Sequence, residues 1–223
     1  MMEKGRTIIV GAGGFGRELV NWARDCHHAG SLPPVAGLLD DDPAAMERFS
    51  YSVGLIGTPR DFAPRPGDLL VMAIGTPAVK MRVVEMLIAR GGRFATLIHP
   101  RAVIAGSAQI GEGSILCPLS LVSADAIVGR FCNINALSSI GHDVRLGDYS
   151  TVSAHVDLTG AVSVGRGVMI GSGAKILPKV RVGEGATIGA GSVVYRSVPA
   201  GRSVFTAPAK LFPAVQSADT ASR

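Results

Sequence analysis

A chain of 223 residues with 47% hydrophobic content is long enough for one or two domains and a substantial core. Its net charge of +5 holds no block of like charges, which argues against nucleic acid and fits small anionic ligands such as diphosphates. No apolar run approaches the ~18 residues of a membrane helix, no leader precedes the first strand, and Cys26, Cys117 and Cys132 lack paired spacing, so a cytoplasmic protein without membrane insertion or disulfides is expected.

Residues 7–10 read as a short apolar strand. Gly11-Ala12-Gly13-Gly14-Phe15-Gly16 follows, and residues 17–28 then read as a helix with Leu19, Val20 and Ala23 on one face. Residues 35–39 form a second strand that ends in Asp40-Asp41-Asp42. Strand, glycine loop, helix, strand and acid follow in the order of a nucleotide-binding βαβ unit. The glycines let backbone N–H groups approach phosphate at a helix N-terminus, and the acid can hold a ribose hydroxyl. Residues 50–66 are loop-rich, with Pro59, Pro64 and Pro66. Residues 69–74 read as a third buried strand closed by Gly75-Thr76-Pro77. Residues 78–90 read as a helix that Gly91-Gly92 ends, and residues 94–98 as a last strand. This Rossmann-like unit, residues 1–97, is half of a full dinucleotide fold, with room for one nucleotide rather than for NAD.

From Ile98 to Val194 every sixth residue is Ile, Leu or Val, without a skip. Were one residue in three aliphatic, chance would give such a run about once in 10⁸ trials. A small or β-branched residue stands two places before most of them, as at Ala102, Ala108, Ser114, Cys132 and Ser150. Glycine often follows, as at Gly111, Gly129, Gly141, Gly147 and Gly171. A six-residue period fits a parallel β-helix of the hexapeptide class. Each hexad gives one short strand and one turn, with the aliphatic inward and glycine supplying unusual backbone angles at the corners. Three hexads close a triangular coil, so residues 18 apart stack at roughly 4.8 Å. The rod is expected over residues 98–212, with a flexible tail over 213–223.

His142, in Ile140-Gly141-His142-Asp143, falls on the turn side of its hexad, outside the core. Neighbours on a flat strand point opposite ways, but neighbours at a corner can meet. A carboxylate at Asp143 that accepts the ring N–H would orient the ring and raise its basicity. His155 is a weaker candidate. His99, His142 and His155 do not stack at the coil period, so no metal site with three convergent ligands is expected.

A half-Rossmann unit with Gly-Ala-Gly-Gly-Phe-Gly, followed by a hexapeptide rod with Gly-His-Asp, resembles the sugar acetyltransferases of the sialic acid and bacillosamine type along nearly the whole chain. The resemblance implies a left-handed β-helix, against the usual crossover hand, and a homotrimer. It implies acetyl-CoA-dependent N-acetylation of a nucleotide-linked 4-amino-4,6-dideoxy sugar. It makes His142 the general base and Asp143 its support. Sugar-nucleotide contacts then fall to Gly14, Phe15, Gly16, Asp40, Asp41, Gly75 and Thr76. Acetyl-CoA lies along the rod between subunits, at Thr151, Ser172, Ala190 and Lys210. The chain departs from the pattern at Thr151, where some relatives carry a histidine, and at Asp143, where Glu is the alternative.

A thioester under attack needs a donor for its oxyanion. One coil after His142 comes Gly160, with an open N–H and room for the incoming amine. Three other readings compete. The same residues could acetylate a sugar hydroxyl. The rod could be inert in a nucleotide-binding regulatory protein. An NAD(P) oxidoreductase is the third, and the missing second mononucleotide half argues against it.

Overall fold

The computed structural model describes residues 5–207, so Lys210 and the 213–223 tail lie outside the described residues. The apolar run after Arg6 forms β1 (Arg6–Val10), whose Ile8, Ile9 and Val10 are fully buried. Then come α1 (Gly14–His28), β2 (Val35–Leu39), β3 (Leu55–Gly57), β4 (Asp68–Met72) and α2 (Pro77–Ile88). The four strands pair in parallel in the order β3-β2-β1-β4. α1 begins inside the glycine motif, three residues before the expected start, because the chain has already turned at Gly11 (φ 107°). The sequence carries no sign of β3, since three residues between Gly54 and Gly57 are too few to show a period. Residues 94–98 add no fifth strand to this sheet. Phe94 makes a single bridge to Leu70, and Leu97 and Ile98 pair with Ile115 and Leu116 of the rod.

α1 follows β1 and α2 follows β4, and these two strands are neighbours. Both helix N-termini therefore open on one crevice beyond the carboxyl ends of the strands, where ligands of parallel sheets bind.

From β5 (Leu97–Ile98) to β22 (Ser203–Val204) every strand is two residues long. Pairing is parallel and joins residues one coil apart, as Asn133 with Thr151 and Ser139 with Asp157. Sheets of five, seven and six strands make the three faces of the rod. The second residue of each strand points inward, and Leu116, Val122, Ile134, Ile140, Val152 and Leu158 are fully buried. Ile98 is 37% exposed, because the first coil has none beneath it.

The glycines that directly follow the aliphatics do a different job from the expected one. Left-handed backbone falls three places after each inward aliphatic from Ile110 to Ile188, at Gly113, Gly167, Gly173, Gly185 and Gly191 and otherwise at non-glycine residues. Leu137, Asp143, Tyr149 and His155 have φ of 61°, 60°, 61° and 59°. The glycines directly after the aliphatics permit close approach of coils instead. A Cβ on Gly147 would stand 2.5 Å from the Gly165 carbonyl carbon, and one on Gly171 would stand 2.5 Å from the Ala190 nitrogen.

The α/β unit packs on the seven-stranded face. Leu97, Ile115 and Cys117 share a core with Ile9, Leu19 and Val71. Phe94 meets the Phe131 ring edge-on at 5.2 Å, and Phe131 stacks on Tyr149. Buried His99 accepts the Arg101 N–H at Nδ1, which leaves Nε2 to donate to Asp25 at 3.2 Å. The edge opposite this covered face is where the five- and six-stranded sheets meet, at residues 141–144. No described helix is long and apolar enough to cross a membrane.

Candidate active site

His142 stands on that opposite edge. The left-handed turn at Asp143 folds its carboxylate back beside the preceding ring, and Nδ1 of His142 lies 2.7 Å from Oδ2 of Asp143. A carboxylate accepts only, so Nδ1 carries the ring proton and Nε2 keeps its lone pair. Nε2 lies over Gly160, where a Cβ would collide with it. This corrects the expectation of empty space at Gly160. The room that glycine leaves is filled by the imidazole itself. Gly160→Ala is accordingly expected to push the ring off its position and lower kcat by about tenfold or more, the scale of a misplaced general base. A circular-dichroism melt would check that the rod stays folded.

The pair is open to solvent in one chain, with side-chain exposures of 68% for His142 and 61% for Asp143. A base at work on a thioester needs more shelter than that.

A cleft lies elsewhere, between α1 and the seven-stranded face. It has a volume of about 360 Å³. Phe15, Glu18 and Trp22 fall on one face of α1 at helical spacing and form one wall, with Phe15 edge-on to Trp22 at 6.3 Å. Gly75 closes one end, and the outward ladder residues Asn133, Thr151 and Met169 form the floor. Burial pushes the Glu18 carboxyl up, against a smaller opposing pull from Arg17.

At the crevice α1 has no side-chain cap, and its first turn holds no acid. Its leading N–H groups are free to bind an anion. Gly14 is open, with nothing nearer to an added Cβ than an Arg17 nitrogen at 4.0 Å. Gly16 is needed for packing, since a Cβ there would collide with the Gly11 carbonyl oxygen. Asp40 is a brace for the loop: Oδ2 accepts the Ala12 N–H at 2.6 Å and Oδ1 the Asp42 N–H at 3.0 Å. Asp41 is exposed and lines a neighbouring hollow with Pro43, Leu55 and Thr58. Thr76 caps α2 by position only, without a side-chain hydrogen bond.

Thr151 is the largest departure from expectation. It is 2% exposed. Its hydroxyl donates to the Gly75 carbonyl at 2.6 Å and accepts from Lys80 Nζ at 2.9 Å. The outer side of its strand lies under the α/β unit, so Thr151 ties the two units together rather than offering its hydroxyl to acetyl-CoA. Ser172 lines the cleft at an exposed corner, two-thirds of a turn from the His142 column, and Ala190 stacks one coil beyond it. Sequence reasoning missed Glu18, Trp22, Asn133 and Met169. The coil period held the signal for two of them, because 133, 151 and 169 are successive rungs of one ladder.

Lys80 is wholly buried, and its Nζ also donates to the Ser150 carbonyl at 3.3 Å. No carboxylate among the described residues pairs with it, and burial pulls its pKa down from 10.5 to about 7. Between those values the unfolded chain binds a proton that the folded chain lacks. Stability therefore rises with pH across that window, and the penalty is fully present below it. Lys80→Met is expected to remove that slope and to stabilise the protein by about 3 kcal/mol at pH 7, after a loss for the acceptors left unpaired. Urea unfolding at pH 7 and pH 10 would measure both effects.

Residues 6–87 match the PglD N-terminal domain family, and residues 161–196 match the bacterial transferase hexapeptide (six repeats) family. A UDP-N-acetylbacillosamine N-acetyltransferase of Bacillus subtilis (strain 168) is 34% identical over 117 residues, 49% of this chain. That alignment spans half the length of the curated relative, 50%. The acetyltransferase domain of PglB from Neisseria gonorrhoeae FA1090, solved with acetyl coenzyme A, superposes with a TM-score of 0.82 at 27% identity over 94% of this chain and all of that one, 100%. PerB from Caulobacter crescentus, solved with CoA and GDP-perosamine, gives 0.81 at 30% identity over 92% of this chain and 96% of its own.

Proposed function

Because the chain belongs to the hexapeptide-repeat, left-handed β-helix sugar acetyltransferases, we propose that it moves the acetyl group of acetyl-CoA onto the amine of a nucleotide-linked 4-amino-4,6-dideoxy sugar, of the UDP-bacillosamine or GDP-perosamine kind. One observation carries the chemistry: a histidine with its Nδ1 proton held by Asp143 and its Nε2 lone pair free. The neutral amine attacks the thioester carbonyl carbon directly. Nε2 of His142 removes the proton that the nitrogen loses on forming the C–N bond. The tetrahedral intermediate then collapses, and the C–S electron pair leaves on the CoA sulfur, which takes the proton back from the imidazolium. No acyl-enzyme is needed.

The diphosphate goes to the open N–H groups at Gly14 and Phe15, the ribose to Asp41, and the sugar to the cleft beside Gly75 and Thr76. The Gly160 N–H is the candidate oxyanion donor. The same geometry supports a homotrimer. The nucleotide unit covers one face of its rod, and His142 lies on the opposite edge. The cleft of one subunit must therefore be completed by the His142 edge of another. Acetyl-CoA then runs between rods, past Ser172 and Ala190. Free acetyl-CoA and nucleotide sugars as substrates put the enzyme in the cytoplasm.

The test is thiol release from acetyl-CoA against UDP-, GDP- and dTDP-linked 4-amino sugars, with sialic acid as a hydroxyl acceptor. Release with an amino sugar alone supports the reading. Release with sialic acid alone moves the activity to O-acetylation, and acetyl-CoA binding without any release returns the protein to a regulatory role.

A further inference from the structure

The loop between β4 and α2 carries Gly75 and Thr76, and Ala73 and Ile74 pack on its own unit. Among the described residues, the hydrogen bonds to the Ile74 and Gly75 carbonyls come from the rod. Asn133 Nδ2 donates to the Ile74 carbonyl at 3.2 Å, and one rung on, Thr151 Oγ1 donates to the Gly75 carbonyl at 2.6 Å. A hydroxyl that donates its one proton keeps its lone pairs to accept with, and Lys80 Nζ donates to it at 2.9 Å, which pins the oxygen from the other side. Lys80 itself rises from the first turn of α2, the helix this loop leads into. Lysine, threonine and glycine carbonyl thus make a short closed circuit from helix to rod to loop.

The chemistry of the circuit is unusual for a merely structural joint. A lysine with no carboxylate partner is an expensive way to fill a buried space, and an aliphatic side chain would do it better. Nζ has two acceptors, Ser150 O and Thr151 Oγ1, which match the two N–H groups of a neutral amine. The titratable group facing Lys80 from the rod is the Cys132 thiol, which burial pushes up to about 12, so it brings no charge. What the lysine does that a methionine cannot is hold the Thr151 hydroxyl aimed at the loop. Asn133 gives a parallel hint, for its Oδ1 is buried without a hydrogen-bond partner while its amide nitrogen is committed to the loop.

We propose that Lys80 is a positioning residue for the nucleotide-sugar half-site, acting through the Thr151 hydroxyl to fix the Gly75 carbonyl and the loop that carries Thr76. This rests on the reading that the loop contacts the sugar nucleotide. Acetyl-CoA and the His142 edge lie outside the circuit.

Thr151→Val keeps the shape of the side chain and removes the hydroxyl, Thr151→Ser restores the hydroxyl, and Lys80→Met keeps the length without the donor. Each would be measured as the full chain by steady-state kinetics in both substrates. Titration calorimetry with UDP, GDP and dTDP would accompany the kinetics. The expected result is a KM for the sugar nucleotide, and a Kd for the bound nucleoside diphosphate, raised roughly tenfold in Thr151→Val and Lys80→Met. In both, kcat and the KM for acetyl-CoA should stay within about twofold of wild type, and Thr151→Ser should recover most of the loss. A joint that only stabilises would instead lower the melting temperature and the active fraction of Thr151→Val and leave KM alone in both variants. Unchanged sugar-nucleotide KM and nucleotide Kd in Thr151→Val, with wild type binding normally, would overturn the positioning role alone. Failure of the wild-type protein itself to bind any of the three nucleotides would overturn the substrate reading and take the positioning role with it.

Discussion

His142→Asn is expected to lower kcat by about 10²- to 10⁴-fold while the KM values for acetyl-CoA and the sugar nucleotide hold, the pattern of a lost general base. Asparagine keeps a polar group near Asp143 but has no lone pair of imidazole basicity to offer. An amine is the better nucleophile, so residual turnover should be measurable for an amino-sugar acceptor and nearly absent for a hydroxyl acceptor. Asp143→Asn is the milder change. It leaves the ring in place but no longer fixes which nitrogen carries the proton, and a smaller fall in kcat is expected. If His142→Asn raises either KM and spares kcat, the residue binds substrate and another group is the base.

The rod was legible in the sequence because its period is short and its core is one residue wide. The aliphatic column, the stacking at the coil period and the outward placement of His142 all follow from one number. The pairing of His142 with Asp143 followed from their place at a corner. The roles of the corner residues did not follow. The glycines that follow the aliphatics looked like the source of the left-handed turns, yet those turns fall two places later, at Asp143 and Tyr149 as well as at Gly167 and Gly173, and Gly147 and Gly171 are kept by backbone from the next coil. Periodicity gives position along a coil but not which atoms of the next coil intrude. Thr151 and Lys80 were illegible for a different reason. Each sits on its own element as an ordinary polar residue, and only the docking of the α/β unit on one face of the rod brings them to 2.9 Å. Asp40 and Asp41 could not be told apart by order in the chain. The structure separates them because one carboxylate is already engaged with the glycine loop and the other is exposed.

Two inactive variants mixed together are expected to regain activity, which is the largest relative effect the shared-site reading predicts. Gly14→Val puts a side chain where the diphosphate must approach, and the open space around Gly14 lets the fold absorb it. His142→Asn removes the base. In a chain whose cleft and base lay together, every active site of a mixture would still carry one defect or the other. Here the α/β unit covers the seven-stranded face, and His142 stands on the edge where the other two sheets meet. In the proposed trimer, each site takes its cleft from one subunit and its base from the next. Random reassembly of equal amounts gives about one site in four with both parts intact, because each part is sound in half the subunits. Co-expression of the two variants under separate tags, followed by double purification, would supply the mixed trimers. Double purification removes trimers of one variant alone, and each trimer that contains both chains has one intact site of its three, so turnover near a third of wild type per site is the expected outcome, from parents that are each nearly silent in the same assay. Turnover that stays at the parental level in trimers shown to contain both chains would mean that cleft and base come from one subunit. The rod would then have to bend or the α/β unit to swing for the amine to reach His142, and the case for a site between subunits would fall.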